Sequence, residues 1–210
     1  MASLDAIERE QLCDLLLELG PDAPTCCEGW DTIDLAAHLV VRERDPRAMP
    51  GILFGGRFEA GLDRLMERAQ ERGYQALVAK IRSGPPLGPM AVPGVRVLLN
   101  LNEYFVHHED ARRANGRGPR VDRPDLDDAL WSMTRRGAAL QLRKVRGAGV
   151  ELLRPGHPPV VAKRASPVAQ LIGEPGEIVL FLNGRRDVAQ VELSGDPSAI
   201  AILEAASFGI

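Results

Sequence analysis

Along this 210-residue chain the apolar residues change their spacing once. From Ser3 to Gly147 they recur three and four apart, the period of an α-helix packed on one side; beyond Gly147 short runs alternate, the period of a strand. That switch predicts a mainly α protein in which a helical bundle over residues 1–146 is followed by a small α+β domain over 147–210 packed on it.

The helical part divides into segments with recognisable ends. Leu12, Leu15, Leu16 and Leu19 form one stripe that stops at Gly20-Pro21. Asp31, with Asp34 three residues on, reads as the N-cap of a second helix that runs to Pro46. Leu62, Leu65, Met66 and Ala69, then Leu77, Val78 and Ile81, predict two shorter helices closed by SGPPLGPMAVPG. A third long helix carries Val95, Leu98, Leu99, Asn102 and Val106 to Asn115-Gly116. A fourth starts at Pro124 and presents Leu126, Leu130, Met133, Gly137 and Leu140. Four long helices with one long crossover predict a four-helix bundle. Past Gly147, GVELLRPG and PPVVAKRA read as strands, Ser166-Pro167 as the start of a helix PVAQLIG, and DVAQVELSG as a strand. EIVLFLNGR fits strand or helix, and Asp196-Pro197 opens a last helix.

Composition narrows the function. Lys and Arg total 26 against 29 Asp and Glu, a net charge of -3, so no basic surface is available to grip nucleic acid. No apolar run approaches the roughly 20 residues that span a bilayer. The N-terminus MASLDAIERE has neither the basic nor the apolar region of a secretory signal, which places the protein in the cytoplasm. Three cysteines, Cys13, Cys26 and Cys27, are then expected as reduced thiols, the vicinal pair as small, partly buried loop residues rather than a redox couple.

The third long helix contains NEYFVHHEDARR, in which Glu103 and His107 are four apart and share a face, while His108 lies about 100° away around the helix. His38, flanked by Leu35 and Leu39, can point inward from the second helix. Two imidazoles and a carboxylate are the protein ligands of an open metal site, whose remaining position takes water or substrate. Asp110 is a candidate either to accept a hydrogen bond from His107 or to act as a further ligand, and Asp34 is a candidate to orient His38. By spacing alone the three residues read more readily as hydrogen-bonded core groups than as metal ligands, since the pattern lacks the specificity of H-E-x-x-H or paired C-x-x-C. His157, in RPGHPP, reads as exposed. Arg112, Arg113, Arg117 and Arg120 read as a solvated face at a helix C-terminus rather than an anion site. The glycine-rich pieces GILFGGRF and GRGPR lack the strand, helix and Lys of a phosphate loop, and no G-x-S-x-G elbow is present.

The segments LCDLLLELGPDAPTCCEGWDTIDLAAHLVVRE, LLNLNEYFVHHEDARRA, EPGEIVLFLNGR and VELSGD resemble the mycothiol-dependent maleylpyruvate isomerase group of the DinB-like superfamily, and among them an uncharacterised metal-binding branch. The resemblance implies a DinB-like bundle, a sterol-carrier-type C-terminal domain and a divalent metal, usually zinc, held by His38, Glu103 and His107. It implies an enzyme, isomerase or transferase, that uses a low-molecular-weight thiol such as mycothiol on a small electrophile, as monomer or homodimer. A C-terminal arginine serves the isomerases, and Arg154, Arg164, Arg185 and Arg186 are the positions open to that role. A non-catalytic metal- or ligand-binding protein, and a hydrolase using the same open site with water, are the alternatives.

Overall fold

The computed structural model describes residues 2–54, 56–86 and 95–208, and the side chains of these except 53, 54 and 95–99. The Pro/Gly-rich residues 87–94 and the expected core positions Val95, Leu98 and Leu99 therefore lie outside the described side chains. The backbone forms two compact units that divide between Arg120 and Val121.

The first unit contains α1 (Leu4–Leu19), α2 (Thr32–Arg44), α3 (Met49–Phe54), α4 (Glu59–Gln70), α5 (Tyr74–Arg82) and α6 (Val95–Ala114). α1 stops because Gly20 takes φ 81°, a conformation costly for a residue with a Cβ, while its N–H still reaches Leu16 O at 3.0 Å. α2 begins as expected: the Asp34 carboxylate accepts the Asp31 N–H at 3.0 Å. α4 and α5 are the two shorter helices. α3 was not among the expected helices; its Pro50 sits in the first turn, where proline forfeits no helical hydrogen bond. Leu12, Leu16, Leu35, Leu39, Leu77 and Ile81 are fully buried in one cluster. It joins α1, α2 and α5, with α6 lying along α1 and supplying Tyr104.

A buried ionic network fastens α1, α6 and the segment after α6. The Arg120 guanidinium donates to both Glu8 oxygens at 3.0 and 2.8 Å and to Glu109 at 2.7 Å, and covers the Phe105 ring at 5.3 Å. Arg113 takes the other Glu109 oxygen at 2.8 Å, and Arg117 pairs with Glu18 at 2.5 Å. The expected solvated arginine face is thus corrected: Arg113 and Arg120 are buried against carboxylates supplied by α1 and α6. His108 is also buried, its Nδ1 accepting from Arg120 at 3.0 Å. Burial lowers the His108 pKa despite Glu8, which keeps that nitrogen an acceptor.

The second unit holds α7 (Pro124–Gln141), β1 (Gly149–Leu153), β2 (Val160–Lys163), β3 (Val168–Ile172), α8 (Pro175–Leu182), β4 (Glu192–Gly195) and α9 (Pro197–Ala205). The strand order is β2-β1-β3-β4, with β1 parallel to β3 and the outer pairs antiparallel. α7 packs on α8 and β2, so by compactness it belongs with this unit, although the apolar period does change just after Gly147, where the sheet begins. Its buried face is Leu126, Leu130, Trp131, Thr134 and Ala138 rather than the expected stripe; Leu140 is 67% exposed because the stripe slips one residue after Leu130.

Two runs resolve differently from the sequence reading. PVAQLIG is strand β3, not a helix: Ala169 and Leu171 are buried between residues that are not, and the run pairs with β1 over five residues. EIVLFLNGR is α8, and Ile178 to Leu182 are all buried, so no amphipathic stripe could declare it. At Gly149 an added Cβ would stand 2.3 Å from Ala165 O, a backbone atom that cannot step aside.

Removing Arg120 strips buried Glu8 of its guanidinium and leaves Glu109 with Arg113 on one oxygen only. Arg120→Ala is expected to lower unfolding stability by about 3–5 kcal/mol in urea titration, while Arg117→Ala, on exposed Glu18, leaves the midpoint unchanged.

Candidate functional site

Within the first unit, α2 and α6 bring together the three residues singled out from the sequence. His38 Nε2 lies 3.1 Å from Glu103 Oε1, and His107 Nε2 lies 3.3 Å from the same oxygen. All three ligand atoms fall within 4.8 Å of one another. A tetrahedral cation bound at about 2.0–2.1 Å spaces nitrogen and oxygen donors about 3.3 Å apart, so the set fits such an ion in both donor type and spacing.

The surroundings orient two of the three. His107 Nδ1 is 2.9 Å from Asp110 Oδ2, one turn further along α6, which leaves Nε2 facing Glu103. The Asp110 expectation is therefore met by the geometry. That for Asp34 is not: its oxygens accept from the Asp31 N–H and from Gln70 Nε2 at 2.7 Å, since capping α2 turns the carboxylate toward the helix start. His38 Nδ1 has no hydrogen-bond partner among the described residues, and the ring is positioned instead by Trp30, at 5.1 Å between centroids. His108 points away into the Arg120 network, as its angular offset from His107 requires.

Two neighbours escaped the sequence reading. Arg42 Nε is 3.1 Å from Glu103 Oε1, and Arg42 Nη1 is 3.4 Å from Asn100 Oδ1. The available signal was its place four residues after His38, on the same face of α2. Cys27 Sγ donates to Asp110 Oδ2 at 3.2 Å and lies 3.9 Å from His107 Nδ1. No spacing within one helix points to it, because it arrives on the loop before α2.

The electrostatics follow from these contacts. Burial opposes charge on Glu103, yet His107, His38 and Arg42 hold its carboxyl well below the usual carboxylate range. Burial also opposes charge on His107, but Asp110, Cys27 and Glu103 outweigh it and raise that imidazole well above its ordinary value. For His38 burial wins over the bond to Glu103, and the pKa falls. The site thus pairs one neutral imidazole with one that binds its proton firmly unless another cation takes its place.

In the second unit the four candidate arginines separate. Arg154 is paired with Asp128 at 2.6 Å, and Arg185 donates to Asn183 O at 2.7 Å. Arg186 closes the end of α9 on the carbonyls of Leu203, Glu204 and Ala206 and sits over Phe181 and Phe208. Arg164 is exposed, as is His157.

A helical unit with an inward His, Glu and His, followed by a small α+β unit, is the class of protein defined by fold and site together. No family model matches the sequence, and no curated protein matches it. Two solved structures match over nearly the whole chain. One is the mycothiol-dependent maleylpyruvate isomerase, at TM-score 0.60 and 15% identity, with 92% of this chain and 91% of that one covered. The other is a histidine-to-alanine mutant of that enzyme, at TM-score 0.62 and 14% identity over the same shares. The chain has their fold, which is the fold class that the sequence resemblance implied. No described helix is long and apolar enough to cross a membrane.

In metal-free protein the two shifts act in opposite senses. The raised His107 pKa contributes stability that is complete below about 6.5 and lost as pH rises through the folded-state value. The depressed Glu103 pKa contributes stability present above about 4.3 and lost as pH falls through its folded value. Urea midpoints measured with a chelator should therefore decline above neutrality for the wild type and decline less for His107→Gln.

Proposed function

We propose that His38, Glu103 and His107 hold a divalent cation, zinc by expectation, and that the protein is a thiol-dependent isomerase or transferase acting on a small electrophile, with mycothiol as the expected thiol. The observation that carries this reading is the convergence of two imidazole Nε2 atoms on one oxygen of a partly buried carboxylate, in a chain with the fold of a mycothiol-dependent isomerase.

A cation there supplies positive charge at an open position, which lowers the pKa of an incoming thiol toward neutrality. The chain's own residues do the rest. Asp110 holds the His107 ring by its Nδ1, Trp30 holds the plane of His38, and Arg42 braces the Glu103 carboxylate on the same oxygen. The same guanidinium offers a fixed positive charge beside the site, suited to the carboxylate of an acidic electrophile. The compartment implied is the cytoplasm, where low-molecular-weight thiols stay reduced.

Metal content and turnover test the reading separately. His38→Ala, Glu103→Ala and His107→Ala should each empty the site by elemental analysis, whereas Asp110→Asn should weaken metal affinity by about 10- to 100-fold. His108→Ala should keep its metal and lose stability instead. Mycothiol-dependent conversion of maleylpyruvate-like electrophiles should disappear on chelation and return with Zn2+; absence of metal-dependent turnover with any thiol sinks the enzymatic reading.

A further inference from the structure

Cys27 belongs neither to the apolar core nor to the three residues His38, Glu103 and His107, yet the loop that carries it is firmly built. Thr25 Oγ1 donates to Trp30 O at 2.8 Å, and the Cys27 N–H donates to Thr25 Oγ1 at 3.1 Å. Two further bonds tie the loop to α6: Cys26 N–H to Asp110 O at 3.2 Å and Asn115 Nδ2 to Pro24 O at 2.9 Å. A loop fixed at both ends in this way presents the Cys27 sulfur to one place.

That place is the far edge of the His107 ring. Cys27 Sγ, His107 Nδ1 and Asp110 Oδ2 lie within 4.8 Å of one another, with separations of 3.2 Å from sulfur to oxygen, 3.9 Å from sulfur to nitrogen and 2.9 Å from nitrogen to oxygen. A tetrahedral ion bound at about 2.3 Å by sulfur and 2.0–2.1 Å by nitrogen and oxygen separates such donors by about 3.4–3.6 Å. Shifts of about half an ångström, within the reach of side-chain rotation, close the set around an ion. Sulfur makes it softer than the nitrogen and oxygen set on the opposite edge of the same ring.

We propose that Cys27, His107 through Nδ1, and Asp110 form a second metal set, selective for a thiophilic cation and exclusive with the set at His38, Glu103 and His107. It rests on the preceding reading only in sharing His107. An ion on Nδ1 leaves the neutral ring's proton on Nε2, which then donates it to Glu103 Oε1 and has no lone pair for the first set. Cys27 binds as thiolate, and its proton leaves to solvent together with the one that the metal-free His107 imidazolium carries on Nδ1. A soft metal captured at Cys27 therefore disables the neighbouring centre without displacing His38 or Glu103, and the chain carries its own inhibitory site for thiophilic ions.

The test is a Cd2+ titration of metal-free, full-length protein, read by the near-ultraviolet sulfur-to-cadmium absorption and by proton release. Wild type, Cys26→Ser and His38→Ala should each develop the band with release of two protons per ion, one from the Cys27 thiol and one from the His107 imidazolium; Cys27→Ser, a change of a single atom, should not develop it. Zn2+ bound beforehand to the wild type should be released as the band grows. The proposal is overturned if the band survives in Cys27→Ser, or if folded wild type, checked by circular dichroism, shows none. The two readings fail separately: His38→Ala that binds Zn2+ like the wild type defeats the first set, whereas the cadmium band alone decides the second.

Discussion

A single, partly buried carboxylate organises the first unit. Glu103 brings one negative charge to a place where burial opposes it, and the structure answers with two imidazoles and a guanidinium on the same oxygen. Stripping water from such a group costs several kcal/mol unless its partners are well placed. Two of the partners, His38 and Arg42, come from α2, so this charge ties α2 to α6. Arg42 carries part of the compensation in the absence of any bound cation.

The same helix faces two polar environments one residue apart. His107 and Asp110 turn toward α2 and the Cys27 loop, while His108 and Glu109 turn toward α1 and Arg120. All four are buried, which an amphipathic helix with one wet face cannot arrange. α6 escapes that rule because α1 supplies Glu8 and the following segment supplies Arg120, converting what would be the solvent side into a second, ionic interface. Each network leaves its helix nearly fixed in rotation: a turn of 100° would exchange His107 for His108 and strand the charges on both sides.

Much of the fold is legible in the residues. The stripe Leu12, Leu15, Leu16 and Leu19, the Asp31 and Asp34 box and the Pro124 start all act through bonds and contacts within one or two turns, so their effects are local and survive into the structure. The errors fall where local signals are ambiguous. PVAQLIG has proline in the position of a helix start, yet its backbone groups find a better partner in β1, a segment separated from it by β2. Within EIVLFLNGR the run from Ile178 to Leu182 is apolar at every position and wholly buried in α8, so its period carries no information.

The sequence by itself determined the positions that one helix relates to one another: Glu103 with His107, His107 with Asp110, and the separation of His107 from His108, because 3.6 residues per turn fixes those angles whatever the helix packs against. It also marked His38 as an inward imidazole. Only the tertiary structure decided which chain segments face these residues. Arg42 on Glu103, Cys27 beside Asp110, Trp30 against the His38 ring and Arg120 between Glu8 and Glu109 are contacts between elements far apart in sequence. Their geometry depends on how α1, α2, α6 and the Cys27 loop pack, and packing is settled by shape and desolvation summed over the whole unit, a quantity that no local spacing encodes.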